Sequence, residues 1–193
     1  MKKIFCLTLL LSAFGIQSLA AEPAPSRLTP LRANHYTADL EYNMMHYFYY
    51  KNTAQLETII NYLSNSDYLE KYKSSKPFFQ GFFIGILHEN SAAFYKLYLL
   101  MPSKQVRLIL SSSKEFSSDM ERILSNKQNY YPESPAFLDM LWGYFSSTGD
   151  KRVISKICQI KENDHNALIR AAAEWSLKSQ LKQYNGKVKG CGQ

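Results

Sequence analysis

Three segments of the chain repeat one pattern of apolar residues at helical spacing, and this repetition constrains the fold more than any other feature. In each segment a hydroxyl or carboxylate residue, typical of a helix N-cap, precedes a first helix, and another precedes a second helix. The predicted caps of the first helices are Thr37, Ser75 and Ser134, and those of the second helices are Thr53, Ser91 and Asp150. No stretch alternates like a strand. The pattern predicts one antiparallel helix pair used several times, and such pairs bury their apolar faces by stacking.

The apolar residues of each segment fall at matching offsets from its caps. In the first helices they are Leu40, Met44, Tyr47 and Phe48, then Phe78, Phe82, Gly85 and Ile86, then Phe137, Leu141, Tyr144 and Phe145. In the second helices they are Leu56, Ile60 and Leu63, then Phe94, Tyr98 and Met101, then Val153, Ile157 and Ile160. We expect Trp142, Phe145 and Ile157 in the core. Turns are predicted near Asn52, Asn90 and Gly149, and Pro135 is placed at the first position of its helix.

The remaining segments complete an all-α domain over 37–185. The stretch SSSKEFSS predicts a turn between two short helices, one after Ser103 and one after Ser117 or Ser118. Residues 166–184 predict a long C-terminal capping helix, in which Trp175 is the expected large buried side chain. Glycines in 186–193 predict a flexible tail.

This layout of stacked antiparallel helix pairs resembles tetratricopeptide-like and other α-solenoid proteins. In addition, Trp142, Tyr144 and Phe145, followed by Thr148-Gly149-Asp150, resemble an element of uncharacterised exported bacterial proteins of helical-repeat type. The resemblance to tetratricopeptides is one of layout, because their Trp…Leu-Gly…Tyr signature is absent. It implies a helical repeat scaffold and, through the tetratricopeptides, the binding of a peptide.

The first twenty residues have the layout of a cleaved secretory signal. Lys2 and Lys3 precede an apolar run over 4–16, and Ser18-Leu19-Ala20 is a small-x-small site. We expect cleavage near Ala20, a periplasmic or secreted protein, and an extended Pro-rich arm over 21–36; a retained N-terminal anchor is the alternative. No later stretch approaches the roughly 20 apolar residues of a membrane span, so we expect no integral membrane protein.

The charge of the chain favours some partners over others. The formal charge of +7 includes Lys2 and Lys3, so the chain after cleavage carries about +5, that is 7 minus 2. In an exported protein this mild excess suits an acidic protein, an anionic lipid or a cell-wall polymer. Nucleic acid is not expected, because the basic residues are scattered and the compartment is wrong.

Cys158 and Cys191 remain after Cys6 leaves with the signal, and an oxidising compartment permits a disulfide between them. The alternative is a buried Cys158 and a free thiol at Cys191. Neither cysteine has a Cys-x-x-Cys or Cys-x-x-His neighbour, so no zinc site or other metal is expected.

The chain shows no set of residues that predicts catalysis or a cofactor. His88-Glu89 is followed by Ala92 where a zinc protease requires histidine, and His88 is better placed as a polar residue at a helix end. His46 shares a helix with Asp39 and Glu41, but one helix supplies no oriented partner and reacting group. No serine lies in Gly-x-Ser-x-Gly. We therefore expect a protein that is not an enzyme.

Aromatic residues are unusually frequent, with fourteen tyrosines and eleven phenylalanines. In the first helix a second stripe of Tyr42, Met45, His46 and Tyr49 lies beside the core stripe, with Tyr50 next to it. The candidate binding residues are Tyr42, His46, Tyr49 and Tyr50. The alternative is that another helix or the arm over 21–36 covers them. The sequence thus favours a non-enzymatic module that binds a protein or peptide. A lipid- or cell-wall-binding envelope factor is the second hypothesis, and an enzyme acting on cell-wall material is the third.

Overall fold

The computed structural model describes residues 36–125, 132–184, 188, 190 and 191. Throughout this part of the chain the regular elements are helices, and no strand occurs in it, which confirms the all-α prediction there. The α-helices are α1 (Tyr36–Met45), α2 (Tyr47–Tyr50), α3 (Thr53–Asn65), α4 (Tyr68–Lys71), α5 (Lys76–Glu89), α6 (Ser91–Leu99), α7 (Lys104–Ser125), α8 (Ala136–Thr148), α9 (Arg152–Asn163) and α10 (Ala167–Gln183). A 3₁₀ helix, Lys73–Ser75, precedes α5. The predicted signal over 1–20 and most of the arm over 21–36 lie outside the described residues.

Asparagine side chains cap three of the helices. Two of these asparagines lie one residue before the residue that was predicted as the cap. Asn52, Asn90 and Asn166 each accept a hydrogen bond from an amide of the first turn, at 2.9 to 3.0 Å. Thr53 and Ser91, which were predicted as caps, are the first residues of α3 and α6. The correction has a simple cause, since an Asn carbonyl satisfies the free amides of the first turn as well as a hydroxyl does.

The first helix differs from its prediction at both ends. It begins at Tyr36, so Thr37 lies inside α1 and is not its N-cap. It also breaks at His46, and α2 ends at Tyr50, followed by Lys51, whose φ of 42° is left-handed. The predicted core stripe is otherwise present, because Leu40, Met44 and Tyr47 are buried.

The caps around α5, α8 and α9 follow the prediction in part. Ser75 precedes α5, but its hydroxyl donates to the Tyr72 carbonyl oxygen at 2.6 Å and caps no amide. Helix α8 begins at Ala136, so Ser134 and Pro135 lie one position further out than predicted. Asp150 lies just before Lys151, the N-cap residue of α9, and its carboxylate accepts a hydrogen bond from the Arg152 amide at 2.9 Å.

Helix α7 is continuous where two short helices were predicted. The SSSKEFSS stretch contains neither Gly nor Pro, and the hydroxyls of Ser112, Ser113 and Ser117 donate to carbonyl oxygens three or four residues earlier in the helix. Ser113, for example, donates to the Ile109 carbonyl oxygen at 2.7 Å and lies 3.0 Å from the Gln80 carbonyl oxygen of α5. Serines bonded in this way are compatible with a helix interior. The predicted turn is therefore wrong.

Helices α5 and α8 make the most extensive contact between two elements of the described fold. An ideal Cβ atom on Gly143 would lie 1.9 Å from the Phe78 carbonyl oxygen, so the two backbones touch there without an intervening side chain. Gly81 faces Met140 and Gly85 faces Ser147, so residue numbers rise together along both helices. The two helices therefore run parallel.

The core lies on both sides of this contact, as two clusters of buried side chains. One surrounds α8, α9 and α10, and the other surrounds α3, α5 and α6. Trp142, Phe145 and Ile157 are at most 1% exposed, as the stripes predict. Two predicted core residues are instead exposed: Trp175 at 39% and Met101 at 84%. Trp175 lies on the outward side of α10, whose buried side is formed by smaller residues such as Ala173.

The C-terminal segment packs on this core at the positions that the structure describes. Helix α10 contacts α9 and α8. Val188 is buried in the cluster around α8, and Cys191 is bonded to Cys158 of α9. At these positions the predicted flexible tail is held against the domain.

Candidate functional site

The predicted aromatic residues lie together at the break between α1 and α2. We call Tyr42, His46, Tyr49 and Tyr50 the aromatic face. The three tyrosines are 53%, 41% and 50% exposed in sequence order, and His46 is half-buried. These values place large, flat side chains on the surface.

Stacking between neighbouring rings gives the aromatic face its shape. The His46 ring lies 4.2 Å from the Tyr42 ring and 6.0 Å from the Tyr49 ring, measured between centroids, with interplanar angles of 26° and 22°. His46 Nδ1 lies 2.9 Å from the Tyr42 carbonyl oxygen. Three rings are thus close to parallel in one row, and Tyr50 meets Tyr49 edge-on at 6.4 Å.

Buried contacts beneath the aromatic face hold it in place. The Tyr184 hydroxyl donates to the Met45 carbonyl oxygen at 3.2 Å, just before the helix break. The Tyr184 ring lies 5.6 Å from His46 and 5.2 Å from Phe145 of α8. Burial raises the pKa of the Tyr184 hydroxyl, so it stays neutral and able to donate. The aromatic face is therefore fixed to both α8 and α10.

The chemistry available on the aromatic face is recognition. Its rings offer flat apolar area, and its hydroxyl groups offer donors and acceptors at the edges. The side chains of Asp39 and Glu41, which the sequence places on the same helix as His46, lie outside the described residues. Among the residues that are described, no three His, Cys, Asp or Glu side chains are grouped so that they could hold a metal ion.

A separate polar network surrounds His88 at the ends of several helices. His88 Nε2 lies 3.4 Å from Glu121, and Arg152 bridges Glu121 at 2.6 Å and Asp150 at 2.6 Å. The hydrogen bond from Arg152 is the main cause of the lowered pKa of the Glu121 carboxyl. His88 thus lies in the last turn of α5, as predicted. The network connects α5, α7 and α9.

A second exposed surface, which the sequence did not predict, lies on α6 and α7. Tyr95, Tyr98, Ser111, Lys114 and Glu115 line a cleft of about 610 Å³ between the two helices. Lys114 Nζ lies 5.5 Å from the centroid of the Tyr95 ring, a cation–π contact. Around the end of this surface Leu99, Met101 and Leu108 are exposed. The sequence signal that could have indicated this surface is Leu108, an apolar residue on the polar side of α7.

The two cysteines that the sequence considered as a pair are joined in the structure. Cys158 lies on α9 and Cys191 follows α10, at a sequence separation of 33. The bond closes the last helix and the tail onto α9. That the bond forms in the exported protein stays a prediction.

One half-buried carboxyl lies on α8, at Asp139. Partial burial raises the pKa of this carboxyl to about 7. One turn further along α8, the buried indole nitrogen of Trp142 has no hydrogen-bond partner among the described atoms. Both groups affect stability.

The chain matches no protein-family model, no curated protein and no solved structure. Within the described ranges, no helix combines the length and the apolar character that crossing a membrane requires.

Proposed function

We propose that the protein is a non-enzymatic interaction module that binds a protein or peptide partner through the aromatic face. One observation carries this proposal: Tyr42, Tyr49 and Tyr50 are 53%, 41% and 50% exposed, although the helices that bear them are fixed from below. A monomeric domain gains nothing in stability from keeping three adjacent rings in water.

Rigid tyrosines are well suited to binding. A tyrosine offers a large contact area with only two rotatable bonds, so little conformational entropy is lost when a partner covers it. The stacking of His46 on Tyr42, at 4.2 Å, restricts the rings further before binding. Tyrosine is accordingly among the residues that contribute most to the affinity of protein interfaces.

The scaffold that we propose is a stack of antiparallel helix pairs. The pairs are α1–α2 with α3, α5 with α6, and α8 with α9, with α10 as the capping helix. Support comes from the turns at Asn52, Asn90 and Gly149 and from the parallel contact of α5 with α8. The layout resembles tetratricopeptide-like proteins, and this resemblance implies a peptide or an extended segment as the partner.

We place this activity in the periplasm or outside the cell. The support is the signal-like sequence of residues 1–20, with Lys2, Lys3 and the small-x-small site ending at Ala20. The partner is then a protein or peptide of the cell envelope, and the interaction needs no cofactor.

Site-specific photo-cross-linking tests the proposal. A photoreactive phenylalanine analogue is introduced at Tyr50, on the aromatic face, and at Leu168 as a control. Leu168 is 61% exposed and lies on α10, so it matches Tyr50 in accessibility but not in location. Cross-linking is carried out in the cells that make the protein, and products are identified by mass spectrometry.

We expect a discrete cross-linked partner from position 50 and none from position 168. Equal labelling from both positions, or a cross-link from position 50 only to residues 21–35 of the same chain, would contradict the proposal. The second result would show that the arm covers the aromatic face.

A further inference from the structure

The turn between α6 and α7 presents apolar side chains to solvent while its own interior is packed. Leu99 is 79% exposed and Met101 is 84% exposed. Between and after them, Leu100 packs against the core and Pro102 is buried. Leu100 and Pro102 therefore hold the turn against the core. Because they alternate with Leu99 and Met101 along the chain, the side chains of Leu99 and Met101 point outward.

The backbone of Met101 gives a second, independent observation. Its φ is 47°, in the left-handed region where a side chain is disfavoured and Gly or Asn is usual. The Met101 amide nevertheless donates to the Tyr98 carbonyl oxygen at 3.2 Å, so the conformation is fixed by a hydrogen bond. A strained position thus carries a large apolar side chain that gains no burial in the domain.

Basic side chains lie beside this apolar tip. Lys104 and Arg107 are exposed in the first turn of α7 and share its outward face with Leu108, which is 61% exposed. Over the ranges that the structure describes, neither Lys104 nor Arg107 forms an ion pair with a carboxylate. On α6 the nearest lysine, Lys96, is paired with Glu57 at 2.5 Å.

We propose that this tip, formed by Leu99, Met101, Lys104, Arg107 and Leu108, docks on an anionic lipid surface. Leu99 and Met101 enter the boundary between headgroups and acyl chains, while Lys104 and Arg107 contact lipid phosphates. Leu99 and Met101 are each about four-fifths exposed, so they protrude from the fold. Protruding apolar side chains suit a deformable lipid surface better than a protein groove. The positive charge of Lys104 and Arg107, which is unpaired among the described residues, complements anionic headgroups. This inference does not depend on the aromatic face.

Vesicle sedimentation provides the first test. The exported protein is mixed with phosphatidylglycerol vesicles or with neutral phosphatidylcholine vesicles, at low and at high salt. We expect binding to the anionic vesicles that weakens with salt. Lys104→Gln with Arg107→Gln should weaken it about 30-fold, since each basic side chain near an anionic surface contributes about a factor of five. The matched control, Lys161→Gln with Lys182→Gln, removes the same charge from α9 and α10 and should change binding less than threefold.

Depth measurement provides the second test. Met101→Trp is made in a Trp175→Phe background, which leaves only the buried Trp142 as a second indole. Lipids brominated on their acyl chains should quench the fluorescence of the indole at position 101. Circular dichroism checks that each variant is folded.

Three results would overturn the inference. One is equal weakening by the tip pair and by the control pair, which would mean that net charge alone drives binding. Another is absence of quenching at position 101 on bound vesicles. The third is a tip variant, Leu99→Ser with Met101→Ser, that changes the oligomeric state in light scattering but not vesicle binding, which would assign the tip to contact between two copies of the chain.

Discussion

An ideal Cβ atom on Gly81 would lie 1.8 Å from the carbonyl oxygen of Met140, so α5 and α8 touch backbone to backbone at this point. A real Cβ never approaches an oxygen so closely, and the obstacle is main chain that no rotamer change can remove. The contact between the two helices therefore depends on glycine at position 81.

Gly81→Ala should separate α5 from α8 and lower the free energy of unfolding by about 3 kcal/mol or more, at or above the usual cost of overpacking. Urea denaturation measures the effect. Gly190→Ala is the matched control, because its added Cβ would meet only the Leu181 side chain, at 3.1 Å. Equal stability of the two variants would show that the close helix contact does not exist in solution.

The burial of Phe145 gives a second prediction. Phe145 is 1% exposed and packs between Trp142 and Tyr184. Phe145→Ala should cost about 3–5 kcal/mol, the usual range for a buried phenylalanine. Trp175→Ala, at a residue 39% exposed, should cost less than about 1 kcal/mol by the same chemical denaturation. Similar losses in both variants would contradict the assignment of core and surface.

Phe145 and Gly81 show what the sequence could and could not predict. Phe145 and Ile157 were predicted as core because burial repeats along a helix with its period, which is a local pattern. The closeness of Gly81 and Met140 depends on two helices far apart in sequence, so no local pattern reveals it. Gly85 was placed on the core stripe, but its contact with Ser147 was not predicted.

Errors on the surface have a similar origin. The α7 serines were interpreted as a turn, because serine is frequent in turns, yet they bond within the helix and to α5. Met101 was placed in the core because its spacing fits the stripe, whereas the chain turns there and exposes it. The aromatic face was predicted as a group of residues, but its support by Tyr184 could not be predicted.

The half-buried carboxyl of Asp139 predicts a dependence of stability on pH. Its pKa is about 7 in the folded state, above the value of about 3.9 in an unfolded chain. The folded state thus binds the proton more tightly, and the associated stability is complete below about pH 4 and is lost as the pH rises to about 7.

Asp139→Asn removes this effect. Relative to the unmodified protein, the variant should gain stability between pH 4 and pH 8, by about 4 kcal/mol at most for a pKa difference of about three units. Urea denaturation at several pH values measures the difference, with Glu174→Gln, an exposed carboxylate on α10, as the control. A difference that stays constant with pH would show that Asp139 titrates normally.

The bond between Cys158 and Cys191 gives a prediction about the exported protein. Alkylation under denaturing, non-reducing conditions should find no free thiol at either residue. Because the bond closes a loop of 33 positions, Cys191→Ser should lower the free energy of unfolding by about 4 kcal/mol in the chain-entropy model. Two alkylated thiols in protein taken from the periplasm would mean that the disulfide does not form there.

Binding by the aromatic face is the central claim, and the double change Tyr42→Ala with Tyr49→Ala tests it most directly. Affinity for the partner identified by cross-linking is measured by calorimetry, and the melting temperature is measured alongside. Tyr95→Ala is the control, because Tyr95 is 46% exposed on another helix. We expect the double variant to bind at least about 30-fold more weakly, the loss typical of interface hot spots, with its melting temperature within about 2 °C of the unmodified protein. Unchanged affinity together with a melting temperature lower by more than about 5 °C would contradict the claim, because the tyrosines would then stabilise the fold and not the complex.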